Sequence, residues 1–408
     1  MKLWSHPARA PLALVASISM ATLAAAQQAP APAAPPPSSP PVAAQEPATL
    51  GEKAERLLDK VTGNPAANAD VDMRRVLDAF ADLDPKPIEK LSPQEARQQP
   101  TPADAVAALL KKEGKDPEAL KAQMGVTTQD TTYPTAGGTQ PARIYKPASA
   151  GNQPLPVVVY YHGGGWVIAD INAYDATPRA IAKDANAVVV SVEYRHAPED
   201  KFPAQHEDAV AAYKWALENA GQFDGDPKRV AVMGESAGGN LAVNVAIAAR
   251  DQNLPKPVAQ VLVYPVAGVD TNTPSYQANA DAKPLNKPMM EWFLGHVIRS
   301  DQDKQDPRLD LVGKANLRDL PPATVITAEI DPLMSEGKTL ADKLGQAGVQ
   351  TRYQNYEGVT HEFFGMGAVL TDAKSAQTLA VQELKQAFGA GPAATGSATG
   401  QPSSAQKP

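Results

Sequence analysis

The feature that most constrains this chain is the hexapeptide Gly234-Glu235-Ser236-Ala237-Gly238-Gly239, set between the apolar run Arg229-Val230-Ala231-Val232-Met233 and a helix-like stretch from Asn240 to Ala248. A strand that turns into a helix across so few residues forces unusual backbone angles on the apex residue. It also brings neighbouring backbone close, which the flanking glycines permit. Strand, sharp turn and helix together make a nucleophile elbow, and Ser236 is the candidate nucleophile.

Upstream, the strand-type run Val157-Val158-Val159-Tyr160-Tyr161 ends in His162-Gly163-Gly164-Gly165-Trp166. Consecutive glycines after a buried strand present backbone N–H groups with no side chain in the way, as an oxyanion hole requires. A phosphate cradle would need Gly-x-x-x-x-Gly-Lys-Ser/Thr or Gly-x-Gly-x-x-Gly, and the loop has neither. His162 is read as holding the loop.

An elbow serine needs a base to take its proton and an acid to orient that base, in the chain order serine, acid, histidine. Two histidines follow Ser236. His296 lies in the apolar helical stretch from Met289, where a packed structural role is expected, whereas His361 follows the strand-type run Thr351–Tyr356 at a loop and is taken as the base. Glu329 and Asp331 both lie near the end of the strand candidate Ala323–Ala328. Asp331 is preferred, because Pro332 biases it to an extended conformation that projects into a site.

His-Gly-Gly-Gly-Trp, Gly-x-Ser-Ala-Gly-Gly-Asn, Asp331-Pro332-Leu333 and a late His361-x-Phe363, in this order, resemble the hormone-sensitive-lipase-like esterases of the α/β-hydrolase superfamily. The segment Tyr194-Arg195-His196-Ala197-Pro198-Glu199 with Phe202-Pro203-Ala204, and the landmarks Tyr264-Pro265 and Leu320-Pro321-Pro322-Ala323, extend the resemblance from about residue 70 to about residue 388. It implies Ser236 as nucleophile, Asp331 as acid, His361 as base and the N–H groups of Gly164, Gly165 and Ala237 as the oxyanion hole. It implies no cofactor, and a small-molecule ester as substrate. The chain departs from the family pattern at Glu235 and Ser335, where aspartate is frequent, at Glu362, where glycine is frequent, and at His196, where an aliphatic residue is frequent.

Other motifs carry less. Ser335-Glu336-Gly337-Lys338 matches the short Ser-x-x-Lys pattern without its companion motifs. His361-Glu362 begins like a zinc-protease helix, yet Gly365 stands where the second ligand would be. With no cysteine and six scattered histidines, no metal site is expected. Arg195 and Glu199 are read as a structural ion pair or turn anchors.

Strand candidates at 142–146, 157–161, 187–193, 229–233, 259–264, 323–328 and 350–355 alternate with helical patterns. This predicts an α/β fold, a mostly parallel sheet with helices on both faces. Apolar residues at helical spacing predict helices over 53–61, 72–82 and 103–112. The helical segments 70–125 and 275–300 lack adjacent strands, and the resemblance implies that they form a cap; Met73, Val76, Leu77 and Phe80 are expected to pack over the site with Met289, Met290, Trp292 and Phe293.

The domain plan is a signal peptide over 1–26, an Ala/Pro-rich linker over 27–48, the hydrolase domain over 49–388 and a similar low-complexity tail over 389–408. Lys2 and Arg9 precede the apolar stretch Leu12–Ala26, which is too short for a comfortable span and ends in small residues. A periplasmic or secreted location without a stable membrane anchor is expected. A net charge of −7 argues against nucleic acid, whose phosphates need a basic surface. The predicted activity is that of a serine carboxylesterase acting on small to medium acyl esters through an acyl-enzyme. The same triad would serve an amidase or peptidase, and the same fold without catalysis a ligand-binding protein.

Overall fold

A computed structural model describes residues 65–148, 151 and 153–389. The signal peptide, the linker, the predicted helix over 53–61 and all of the tail but Gly389 lie outside the described residues. Eight strands form one sheet: β1 (Val126–Thr135), β2 (Gly138–Pro147), β3 (Leu155–Tyr161), β4 (Val188–Val192), β5 (Gly225–Glu235), β6 (Gln260–Val263), β7 (Ala323–Ile330) and β8 (Thr351–Thr360). Their order is β1-β2-β4-β3-β5-β6-β7-β8. β1, β2 and β4 pair antiparallel, and every pairing from β4 through β3 to β8 is parallel.

The parallel strands read as unbroken apolar runs because both of their faces are covered. Val157, Val159 and Tyr161 of β3 enter one core cluster, and Val158 and Tyr160 enter the other. The first cluster is completed by helices α5 (Ala204–Asn219), α6 (Ala237–Asp251) and α8 (Met334–Gln346), the second by α4 (Ala176–Ala185) and α9 (Thr371–Ala387). The remaining labelled helices are α1 (Val71–Ala81), α2 (Pro102–Lys112), α3 (Pro117–Gln123) and α7 (Lys287–Val297).

Seven of the strands fall on the predicted runs; β1 is the one that periodicity does not mark. It is an edge strand whose only buried residue is Tyr133, so its threonines carry no core-facing pattern.

The two segments expected to form a cap meet, but not as one apolar cluster. Trp292 of α7 donates its indole N–H to Leu91 O at 3.2 Å. Arg97 donates to Val167 O at 2.8 Å and Ala197 O at 2.9 Å, tying the N-terminal segment to the loop behind the glycines. Met289, Met290 and Phe293 join the first core cluster, whereas Met73 and Val76 of α1 join the second, with Leu77 and Phe80 packed on it. The apolar residues of the two segments therefore divide between two core clusters. α1 is drawn to the far end of the sheet by β8, where Asp70 N–H donates to Gly358 O at 2.8 Å and Thr360 Oγ1 lies 3.5 Å from Met73 Sδ.

Candidate active site

The elbow is built from clashes that only glycine avoids. A Cβ on Gly234 would sit 2.1 Å from Gly238 O, and one on Gly238 would sit 2.0 Å from Tyr161 O. Between them Ser236 holds φ 56°, ψ −118°, the strained apex predicted from the motif. Its backbone is fixed on both sides: Ser236 N–H donates to Val263 O at 2.9 Å and Val266 N–H donates to Ser236 O at 3.0 Å. Strand β5 thus delivers the serine, and α6 starts at Ala237.

Ser236 Oγ lies 3.0 Å from His361 Nε2, and His361 Nδ1 lies 2.6 Å from Asp331 Oδ2. His361 follows the end of β8 and Asp331 follows the end of β7, so neighbouring parallel strands bring them together. All three are buried, Asp331 completely. Leu333 N–H donates to Asp331 Oδ1 at 2.9 Å, which leaves Oδ2 aimed at the imidazole. Burial alone would lower the His361 pKa, but the charge and hydrogen bond of Asp331, with Glu362 and Glu235 behind, overcome it and leave it raised.

Glu329, the other acid considered, is turned elsewhere: its Oε2 accepts from Gly358 N–H at 2.8 Å. Gly163 is close to Ser236, since a Cβ there would lie 3.2 Å from Ser236 Cβ. Gly164 and Gly165 both take positive φ, and their N–H groups have no acceptor in the backbone network of the described residues. Ala237 is the first residue of α6, where a helix leaves its N–H groups without an intrahelical acceptor. The Phe293 ring covers Gly165, 2.4 Å from where a Cβ would be.

Beneath His361 lies a polar layer that sequence patterns do not disclose. The Tyr264 ring packs on the imidazole at 4.4 Å, and its hydroxyl donates to Glu235 Oε2. Glu235 Oε1 accepts from Tyr160 at 2.5 Å. Burial, with the Glu362 charge, pushes the Glu235 carboxyl up to about 7 despite these hydrogen bonds. Tyr174 donates to Glu362 Oε1 at 2.6 Å. Glu362 stands at φ 71°, a left-handed conformation that explains why glycine is frequent in that place.

Ser335 accepts from Ser275 N–H at 3.1 Å while Lys338 pairs with Asp342 at 2.6 Å, so the Ser-x-x-Lys residues are engaged apart from each other. Arg195 and Glu199 do not pair with one another. Arg195 is bound to Asp208 at 2.7 Å and Glu199 to Arg97 at 2.7 Å, because the turn points them to different elements. His296 is half-buried, edge-on to Trp292 at 4.4 Å.

Comparison with known proteins matches the same region. The model of a family described as having the α/β-hydrolase fold matches residues 158–365. The chain is similar to the carboxylesterase NlhH of Mycobacterium tuberculosis, 40% identical over 251 residues, covering 61% of this chain and 78% of that one. It is 33% identical to an ethyl acetate hydrolase of Pseudomonas putida over 306 residues, 74% of this chain and 92% of that one. Among solved structures, an esterase of Pyrobaculum calidifontis superposes with a TM-score of 0.66 at 34% identity, over 75% of this chain and 97% of that one. A thermostable esterase from Pseudomonas putida superposes with a TM-score of 0.68 at 30% identity, over 79% and 98%.

Proposed function

The chain belongs to the α/β-hydrolase fold family, and within it to the hormone-sensitive-lipase-like esterases; from that premise we propose that it is a serine carboxylesterase of small to medium acyl esters. The observation that carries the proposal is the relay of Ser236, His361 and Asp331, with contacts of 3.0 and 2.6 Å. His361 Nε2 takes the hydroxyl proton as Ser236 Oγ attacks the ester carbonyl, and Asp331 stabilises the imidazolium that forms. The N–H groups of Gly164, Gly165 and Ala237 receive the negative charge on the carbonyl oxygen. His361 then protonates the departing alcohol, leaving an acyl-enzyme on Ser236. Water, deprotonated by the same nitrogen, attacks this ester and releases the carboxylic acid.

Export to the periplasm or beyond is part of the proposal, supported by Lys2, Arg9 and the apolar stretch ending at Ala26. Among the described residues no helix is long and apolar enough to cross a membrane. The test is a fluorophosphonate adduct mapped by mass spectrometry, run beside a panel of p-nitrophenyl esters. Modification at Ser236 with loss of ester turnover is expected; an active enzyme labelled elsewhere would remove the assignment.

A further inference from the structure

The histidines that look scattered in the sequence are not all scattered in space. His162, Glu193 and His196 converge at the back of the glycine loop, their ligand-type atoms within 4.8 Å of one another. His162 Nε2 and His196 Nε2 each lie 3.0 Å from the same oxygen, Glu193 Oε1. The oxyanion loop, the end of β4 and the turn after it each meet here.

The hydrogen bonds around the cluster fix which atoms face inward. His162 Nδ1 is 2.8 Å from Gly163 O, which can only accept, so Nδ1 carries the hydrogen. In a neutral ring Nε2 then presents a lone pair, and it presents it to a carboxylate oxygen. Two lone pairs at 3.0 Å repel unless a proton on a charged ring or a metal ion lies between them. A backbone carbonyl accepting from the distal N–H is also how metal-bound imidazoles are usually oriented. The second carboxylate oxygen, Glu193 Oε2, is already held by Ile171 N–H at 3.2 Å, which leaves Oε1 for the cluster.

His196 supplies the next observation. Its Nε2 is buried and the line to Glu193 Oε1 is only 3.0 Å long, yet it has no hydrogen bond of good geometry among the described residues. An ion about 2.0–2.2 Å from each member of such a pair must itself lie well off that line. A buried nitrogen without a well-directed hydrogen bond keeps an electron pair that an ion can take. His196 is also where the family resembled frequently has an aliphatic residue, which could not serve as a donor.

We propose that His162, Glu193 and His196 form a three-donor site for a divalent transition ion of the zinc class, separate from the Ser236 relay. Two imidazoles and one carboxylate are the donor set that zinc, cobalt and nickel share, and three protein ligands leave a fourth position open. Bound there, the ion fastens the start of the glycine loop to the segment 193–196 and stabilises the folded chain. The rival arrangement is a charged His162 held by Glu193 with His196 as packing alone.

The test uses the purified full chain, stripped with a chelator and titrated with Co(II) alone, following the visible d–d absorption of tetrahedral cobalt. The expected result is one equivalent bound, displaced by Zn(II), with a higher thermal midpoint in Zn(II). His196→Leu is expected to weaken binding at least about a hundredfold, while His361→Ala keeps it. His196→Gln repeats the test if the leucine variant does not fold. No absorption band, equal affinity in folded His196 variants, or loss of the band in a folded His361→Ala variant would overturn the site in favour of the charged pair or of binding at the relay.

Discussion

The Tyr174 hydroxyl donates to Glu362 Oε1 at 2.6 Å, and that same oxygen stands 3.9 Å from His361 Nε2. A carboxylate so near the catalytic face of the imidazole favours the protonated ring, and it adds to the Asp331 effect that raises the His361 pKa. The proposed mechanism needs His361 neutral as the base, so activity should fall as pH drops through this raised value. Glu362→Gln removes the Glu362 contribution and lowers the imidazole pKa. The acid limb of the kcat/KM profile should then move to lower pH, with ester turnover preserved under more acidic conditions. An acid limb that stays put, or moves upward, would mean that Glu362 does not act on His361.

Asp331 and Glu329 lie two residues apart and separate cleanly in their contacts. Asp331→Asn should lower ester turnover by roughly 10³- to 10⁴-fold by favouring the wrong imidazole tautomer. Glu329→Gln loses one charged acceptor for Gly358 N–H, and it should change turnover by less than about tenfold. Steady-state kinetics of the two purified variants give the ranking, and the reverse order would make Glu329 the orienting acid.

The elbow and the glycine loop are legible in the sequence because each is local: a few residues whose steric demands appear as consecutive glycines. The acid is less so. In a regular strand residues 329 and 331 share a side, but β7 ends at Ile330 after a register shift against β8, so strand alternation does not tell Glu329 from Asp331. The pairings of Arg195 with Asp208, Glu199 with Arg97, and Glu235 with Tyr160 and Tyr264 join distant segments. Nothing in the local pattern around any one of them points to its partner. Strand β1 is hidden for another reason: an exposed edge rich in threonine has no buried face to give a period.

The raised pKa of Glu235 makes a stability prediction. Its folded value of about 7 lies above the ordinary carboxyl value of 4.5, so the folded state keeps the proton where the unfolded chain has released it. Stability is therefore lost as pH rises from about 4.5 to about 7. Glu235→Gln removes this dependence. The thermal midpoint of the wild type should decline across that window more steeply than that of the variant. Parallel curves would show that Glu235 ionises in the folded state as easily as in the unfolded chain.

Phe293 links helix α7 to the proposed chemistry, because its ring lies against Gly165 beside the proposed oxyanion donors. A wall at that place limits the acyl chain, since each added methylene contributes roughly 0.8 kcal/mol only while there is space for it. The wild-type enzyme should accordingly prefer acyl chains of about four to eight carbons. Phe293→Ala opens space over the glycine loop and should move the optimum of kcat/KM toward longer p-nitrophenyl esters. The ring is buried in the first core cluster, so truncation should also cost about 3–5 kcal/mol of stability, and Phe293→Leu serves as the milder variant. The two variants should shift the optimum in the order of the volume removed, alanine more than leucine. An unchanged chain-length profile in both folded variants would take Phe293 out of the pocket wall and leave it as packing in the first core cluster.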